Sequence, residues 1–241
     1  MRIFLLFLCG IFTYYSSISQ GVSNDSLAAV QSKDMVAFYN NYTDGNAPIY
    51  NGRAYLYYTF KMEGTPFYHD DDLSKGWISY DGKKYDPVSM LYDVTRNEVV
   101  ILMPDSNSRA VLHNEFIDSF CLAGHTFISL QEDHVQNIYN TAFYDVLHDG
   151  QIQLLARRTK LMQEILRDNP VVTLISPKDF FYIHKNGLYY LVTNKKDVFR
   201  VLADKRNDIR KIMRRQHIKL NRKTFESTLT SVVTFYDQGT H

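Results

Sequence analysis

The stretch Phe180-Phe181-Tyr182-Ile183-His184-Lys185-Asn186-Gly187-Leu188-Tyr189-Tyr190-Leu191-Val192 decides the architecture of this chain. Aromatic and branched residues flank Asn186-Gly187 on both sides, and Asn-Gly accepts the positive φ angles of a two-residue turn, so the stretch predicts a β-hairpin. The same signal recurs upstream. Asp81-Gly82 joins a strand over 76–80 to one over 85–94, Arg96-Asn97 leads into 98–103, and a polar loop over 105–108 precedes 110–113. Residues 50–60 alternate as a further strand, and 116–130 reads as two strands turned at Gly124. A strand over 142–147, a turn at Asp149-Gly150 and a segment over 151–158 follow, then a short helix near 161–166 that Pro170 ends. Strands joined by loops of a few residues, without helical crossovers, make an antiparallel meander.

Beyond Asn194 the apolar period becomes helical. Val198, Val201, Leu202, Ile209, Ile212 and Met213 fall on one face, and Phe225, Leu229, Val232, Val233 and Tyr236 form another after a break at 217–223, so the chain ends as two helices. The expected fold is α+β: a predominantly antiparallel curved β-sheet or partial barrel with C-terminal helices packed against it. Residues 20–193 form its β-rich part, opened by a short helix from Asn24 or Asp25 to about Asp44, and residues 194–241 form its basic helical end.

The start of the chain gives an address. Arg2 is the only charge before an apolar run from Ile3 to Tyr15, and small polar residues follow, which is the order of a cleavable secretory signal. Ser17 and Ser19 occupy the small-residue positions, placing the cut after Ser19 or two residues later, near Gly21. The run is about 13 residues, short of the roughly 20 a membrane-spanning helix needs, so no membrane span is expected. Leu8 stands before Cys9 where a lipoprotein signal wants a small residue. Removing Cys9 leaves Cys121 as the sole thiol of the exported chain and excludes an internal disulfide.

Composition is that of a globular, sheet-leaning protein, 45% hydrophobic and 14% aromatic, with a formal net charge of +1. Charge is unevenly spread: between Lys195 and Lys223 there are twelve Lys or Arg against three Asp. Export removes nucleic acid as a partner, so a basic helix face carrying Arg206, Arg210 and Arg214 points to an anionic lipid, a glycan or an envelope protein, or is simply a solvated face. Tyr57 and Tyr190 lie in runs where both strand faces carry a ring, and an outward aromatic is a second candidate contact. Packing of the sheet against the terminal helices accounts for those rings equally well.

No catalytic, cofactor or metal motif stands out. His69-Asp70-Asp71-Asp72 lacks the alternating, glycine-punctuated order of a calcium loop and reads as an exposed acidic turn. The histidines show no zinc spacing, His125 reads as a satisfied sheet residue, and Cys121 sits in an apolar run as a buried, inert thiol. A hydrolase would need carboxylates such as Asp70, Asp71, Asp72 or Asp93 to meet His125 in one cleft.

The ordered set Tyr50-Asn51-Gly52, Gly64-Thr65-Pro66-Phe67, Tyr80-Asp81-Gly82, Leu91-Tyr92-Asp93, Gly124-His125-Thr126-Phe127 and Phe143-Tyr144-Asp145-Val146-Leu147 resembles a family of exported Bacteroidota proteins without an assigned activity. Leu155-Ala156-Arg157-Arg158, Lys185-Asn186-Gly187, the basic helix and Tyr236-Asp237-Gln238 continue the resemblance almost to the end. The resemblance implies a periplasmic or outer-surface location and carries over no catalytic residue. The expectation from the sequence is a non-catalytic envelope protein with a lipid, glycan or protein partner; the alternative is the Asp/His hydrolase.

Overall fold

Asp81 and Gly82 adopt φ of 52° and 68°, and Asn186 and Gly187 adopt 53° and 76°, in the computed structural model of the chain. Two consecutive positive φ angles make the tight turn whose twist matches paired strands, so both hairpins form where the sequence places them. The structure describes residues 47–105, 107–131, 142–166, 171–215, 220–221 and 224–238, all within one compact unit, Gly45–His241. The stretches expected to form the signal segment and the helix ending about Asp44 lie outside the described residues.

Fourteen strands are described: β1 Arg53–Ala54, β2 Met62–Glu63, β3 Ser74–Tyr80, β4 Lys83–Asp93, β5 Glu98–Leu102, β6 Arg109–Val111, β7 Ile117–Leu122, β8 His125–Leu130, β9 Ala142–Asp149, β10 Gln153–Arg157, β11 Lys160–Leu166, β12 Val171–Pro177, β13 Phe180–Lys185 and β14 Leu188–Val192. Eleven of them form one curved antiparallel sheet, open rather than closed, in the order β1-β6-β5-β4-β3-β7-β8-β9-β10-β13-β14. The chain meanders from β3 to β6, returns to lay β7 beside β3, and meanders again to β10. β11 and β12 then leave as a hairpin that builds a smaller sheet with β2 before β13 rejoins β10.

Three helices close the chain: α1 Lys195–Val201, α2 Arg206–Arg215 and α3 Phe225–Gln238. The first of the two expected helices is interrupted by a 3-10 turn over Ala203–Lys205, which makes the count three. Val198 and Phe199 of α1, Ile209 and Met213 of α2, and Leu229, Val232, Val233 and Tyr236 of α3 bury against Ile152, Leu154, Ile183 and Val192 of the sheet side. Spacings of three and four residues put those side chains on one face of each helix. Both ends of α3 are fastened. Glu226 bonds Arg158, and Asp237 meets His148 Nε2 at 2.6 Å, so close above the β9–β10 turn that a Cβ on Gly150 would fall 1.9 Å from Asp237 Oδ2.

A second cluster fills the other half of the same sheet face. Tyr92, Phe120, Phe127 and Phe143 are buried in it, Phe120 stacking on Phe127 at 4.8 Å and Tyr92 standing edge-on to all three partners. Many of the rings counted in the sequence are therefore core. Gly76 is required by packing: a Cβ there would stand 1.9 Å from the Cys121 carbonyl oxygen of β7. Gly76→Ala is expected to cost about 3 kcal/mol, because a backbone oxygen in a sheet has nowhere to move. Gly82→Ala, with no atom within 4 Å, should cost only about 1 kcal/mol of left-handed strain. Thermal unfolding followed by circular dichroism ranks the two, and an equal loss would contradict the clash.

Two expectations are corrected. Residues 161–166 are strand, not helix. Although Lys160-Leu161-Met162-Gln163-Glu164 are good helix formers, every residue of β11 pairs with β12, from Lys160 opposite Pro177 to Leu166 opposite Val171, and ladder pairing outweighs intrinsic propensity. Residues 50–60 are not one strand either. Arg53 and Ala54 pair with β6 and the Tyr55 N–H still donates to Arg109 O at 2.9 Å, after which the Tyr55 and Tyr58 side chains turn toward Asp93 and Arg96 Nη1 holds the Leu56 carbonyl at 2.6 Å. Among the described residues no helix is long and apolar enough to cross a membrane.

Candidate functional site

On β9, Phe143 packs into the aromatic cluster and Leu147 against the helical one. Alternate residues of a strand share a face, so Asp145 lies on the seam between the two cores, and it is 0% exposed. A carboxylate there is tolerated only if paired and hydrogen-bonded. The neighbouring strands supply both needs. Asp145 stands opposite Phe127 of β8 and Ala156 of β10, and the residues two positions away, His125 and Arg158, project from the same face. His125 Nδ1 is 3.0 Å from each Asp145 oxygen, and Arg158 donates to Asp145 Oδ2 from Nε at 2.9 Å and Nη2 at 2.6 Å.

Arg158 has further partners. Nη1 reaches Asp179 at 2.8 Å and Glu226 at 2.7 Å, and Nη2 reaches Glu226 at 2.8 Å. A guanidinium has five N–H donors, and all are matched, so Arg158 holds the sheet, the β12–β13 connection and the start of α3 together. Burial works against its charge, but the hydrogen bonds to Glu226 and Asp179 and the Asp145 charge outweigh that and raise its pKa. The Tyr68 ring lies edge-on to His125 at 5.6 Å, and burial, then the Asp145 charge, push its phenol up.

The hydrogen bond from Arg158 holds the Glu226 carboxyl below its ordinary value of 4.5. A carboxylate depressed by folding contributes stability that is present above its unfolded pKa and is lost as pH falls through the folded one. Acidification below about pH 4.5 should therefore loosen the Glu226 end of α3. Thermal midpoints measured from pH 6 to pH 3 are expected to fall less steeply for Glu226→Gln than for the parent chain; parallel curves would deny the linkage.

Beside this hub a cavity of about 460 Å³ opens, a size typical of small-ligand sites. Its walls come from three segments: Lys178, Asp179, Phe180 and Phe181 around the start of β13; Val192, Thr193, Asn194 and Lys195 where β14 enters α1; and Leu220, Asn221 and Phe225 before and at the start of α3. Phe181 and Phe225 touch, their centroids 5.6 Å apart. Most of the polar wall is already engaged. Asp179 is held by Arg158, Asn194 Oδ1 caps α1 through the amides of Lys196 and Asp197, and Asn221 Oδ1 accepts from Thr224. Lys178 and Lys195 have no ion-pair partner among the described residues; their ammonium groups lie 5.5 Å from the Phe180 ring centroid and 5.6 Å from that of Phe199.

A second buried carboxylate, Asp93, closes the β4–β5 turn. Its Oδ1 accepts from the amides of Thr95 and Arg96, both at 3.0 Å. Its Oδ2 accepts from the hydroxyls of Tyr55 at 3.0 Å and Tyr58 at 2.9 Å. Burial, then the Asp93 charge, push both phenols up. The Arg96 guanidinium covers Tyr58 at 3.9 Å.

The residues singled out in the sequence are dispersed. Arg206, Arg210 and Arg214 lie exposed along α2, alongside its buried Ile209 and Met213, with Arg206 and Arg210 flanking Phe199. The three acids of the basic segment are taken by other bases, Asp197 by Arg200, Asp204 by Lys185 and Asp208 by Lys211. Tyr57 is 58% exposed just beyond β1, and Tyr190 is half-buried on β14, at the opposite end of the strand order. His69 and Asp70 form an exposed pair in the expected acidic turn. His125 takes Asp145 as its carboxylate rather than Asp70, Asp71, Asp72 or Asp93. Cys121 is a free, half-buried thiol rather than a fully buried one, and the described residues hold no metal-binding group of three or more ligands.

Sequence reading missed Asp145, Arg158, Glu226 and the cavity. One signal was available, an acid inside the apolar run Phe143-Tyr144-Asp145-Val146-Leu147, since such an acid is rarely buried without a partner. Compared with known protein families, with curated proteins and with solved structures, the chain matches none.

Proposed function

We propose that this chain is an exported, non-catalytic envelope protein that holds an apolar or amphipathic ligand between its sheet and its C-terminal helices. The export signal and the resemblance to exported Bacteroidota proteins support the location. The observation that carries the binding reading is the cavity of about 460 Å³ walled by Phe180, Phe181, Phe225, Val192 and Leu220. Sites for small ligands are concave and mostly apolar, with a few placed polar groups. A glycan is served less well, because the Asn194 and Asn221 side-chain oxygens are already engaged as acceptors. Titration of the purified protein with the neutral fluorophore 1-aminoanthracene should reveal one saturable site, and Phe225→Ala should weaken it roughly tenfold, about the 1.4 kcal/mol that one aromatic wall supplies. A probe that fails to bind, or binds the variant unchanged, defeats the reading.

One observation favours a second reading. His125 is 40% exposed while its Nδ1 is fixed by buried Asp145, the arrangement that orients a general base. Hydrolysis of p-nitrophenyl acetate above background, abolished in His125→Ala, would support it; equal rates for both chains would remove it.

A further inference from the structure

We infer that the ligand of this cavity is a single-chain amphiphile with an anionic head, seated so that the head lies by Lys178 and Lys195 and the chain runs along Phe180 and Phe225. The inference rests on the binding reading above and names the class of ligand. Four observations lead to it. The charge balance of the wall is positive by count, Lys178 and Lys195 against the one acid Asp179, and Asp179 is already held by Arg158 at 2.8 Å, whereas the two lysines are unpaired among the described residues.

Arg158 cannot be the anchor, since its Nε, Nη1 and Nη2 donors already serve Asp145, Asp179 and Glu226. An incoming anion is left with lysines, which act as point charges and select charge rather than a planar geometry. The Lys178 ammonium lies 5.5 Å from the centroid of Phe180, a ring of the cavity wall, and Lys195 lines the same cavity, so charge and apolar wall adjoin, as an amphiphile requires. Last, about 460 Å³ lies toward the lower end of the range for small-ligand sites, which suits one alkyl chain and not the two chains of a bilayer phospholipid.

Isothermal titration of the purified protein with decanoate, decyl phosphate, 1-decanol and decyltrimethylammonium tests this. Decanoate or decyl phosphate, or both, should bind at least tenfold tighter than 1-decanol, and decyltrimethylammonium weakest. Which anion binds tighter separates a carboxylate from a phosphate source. The double variant Lys178→Gln/Lys195→Gln should bring the anions to the level of 1-decanol and leave 1-decanol and 1-aminoanthracene unchanged; both side chains are exposed, so the fold should tolerate the change. Equal affinity for decanoate, decyl phosphate and 1-decanol, or a double variant with undiminished anion binding, overturns the inference while 1-aminoanthracene binding keeps the cavity reading alive. If no compound binds, both fall.

Discussion

Replacing Arg158 by Met is expected to lower the unfolding free energy by about 3–5 kcal/mol, the range found when a buried ion pair loses one partner. Asp145, 0% exposed, would keep only His125. Glu226 and Asp179, with side chains 40% and 23% exposed, can turn to water, so most of the loss belongs to Asp145. Urea unfolding should show the midpoint shifting at constant slope. Arg158→Lys should recover only part of the loss, because an ammonium has three donors where five are used. The decisive comparison is the pair Asp145→Leu/Arg158→Met, expected to be more stable than Arg158→Met alone, since it removes the stranded charge as well. If the double variant shows the sum of the two single losses, Asp145 and Arg158 are not coupled.

Asp93→Ala should cost about 3 kcal/mol by a different route. It removes the acceptor shared by two phenols and two turn amides, and buried donors left without partners are what make such losses large. Asp93→Asn keeps an oxygen for the amides of Thr95 and Arg96 and presents an amide to the phenols, which can accept from it, so it should cost about 1 kcal/mol. The same urea experiment ranks the two, and a larger loss for Asn than for Ala would refute the assignment. Binding of 1-aminoanthracene should survive both changes, because Asp93 is not among the residues that line the cavity.

The hairpins were legible because their information is local: Asp81-Gly82 and Asn186-Gly187 carry the turn within two residues. The helical end was legible because Leu229, Val232, Val233 and Tyr236 repeat at the helical period. What failed depends on partners far along the chain. β11 is a strand because β12 lies beside it, and a single-sequence reading of 161–166 has only propensity to go on. The chain after Tyr55 leaves the sheet because Asp93 and Arg96 bond it from 35–40 residues away. The hub draws residues 125, 145, 158, 179 and 226 from five separate segments, and the cavity draws its walls from three. The stretches containing His125, Asp145 and Arg158 converge there. Their order along the chain gave no sign of it.

The two fastenings of α3 also set an order of assembly. Ile152, Leu154, Ile183 and Val192 are covered by the helices, and the last pieces that hold that cover down, Glu226 to Arg158 and Asp237 to His148, are synthesised after the whole sheet. A chain in which the sheet has formed before α3 docks therefore presents a bare apolar half, the kind of intermediate that sticks to its neighbours. Docking of α3 covers that half, and the pairs at its two ends, Glu226 with Arg158 and Asp237 with His148, keep the cover in place.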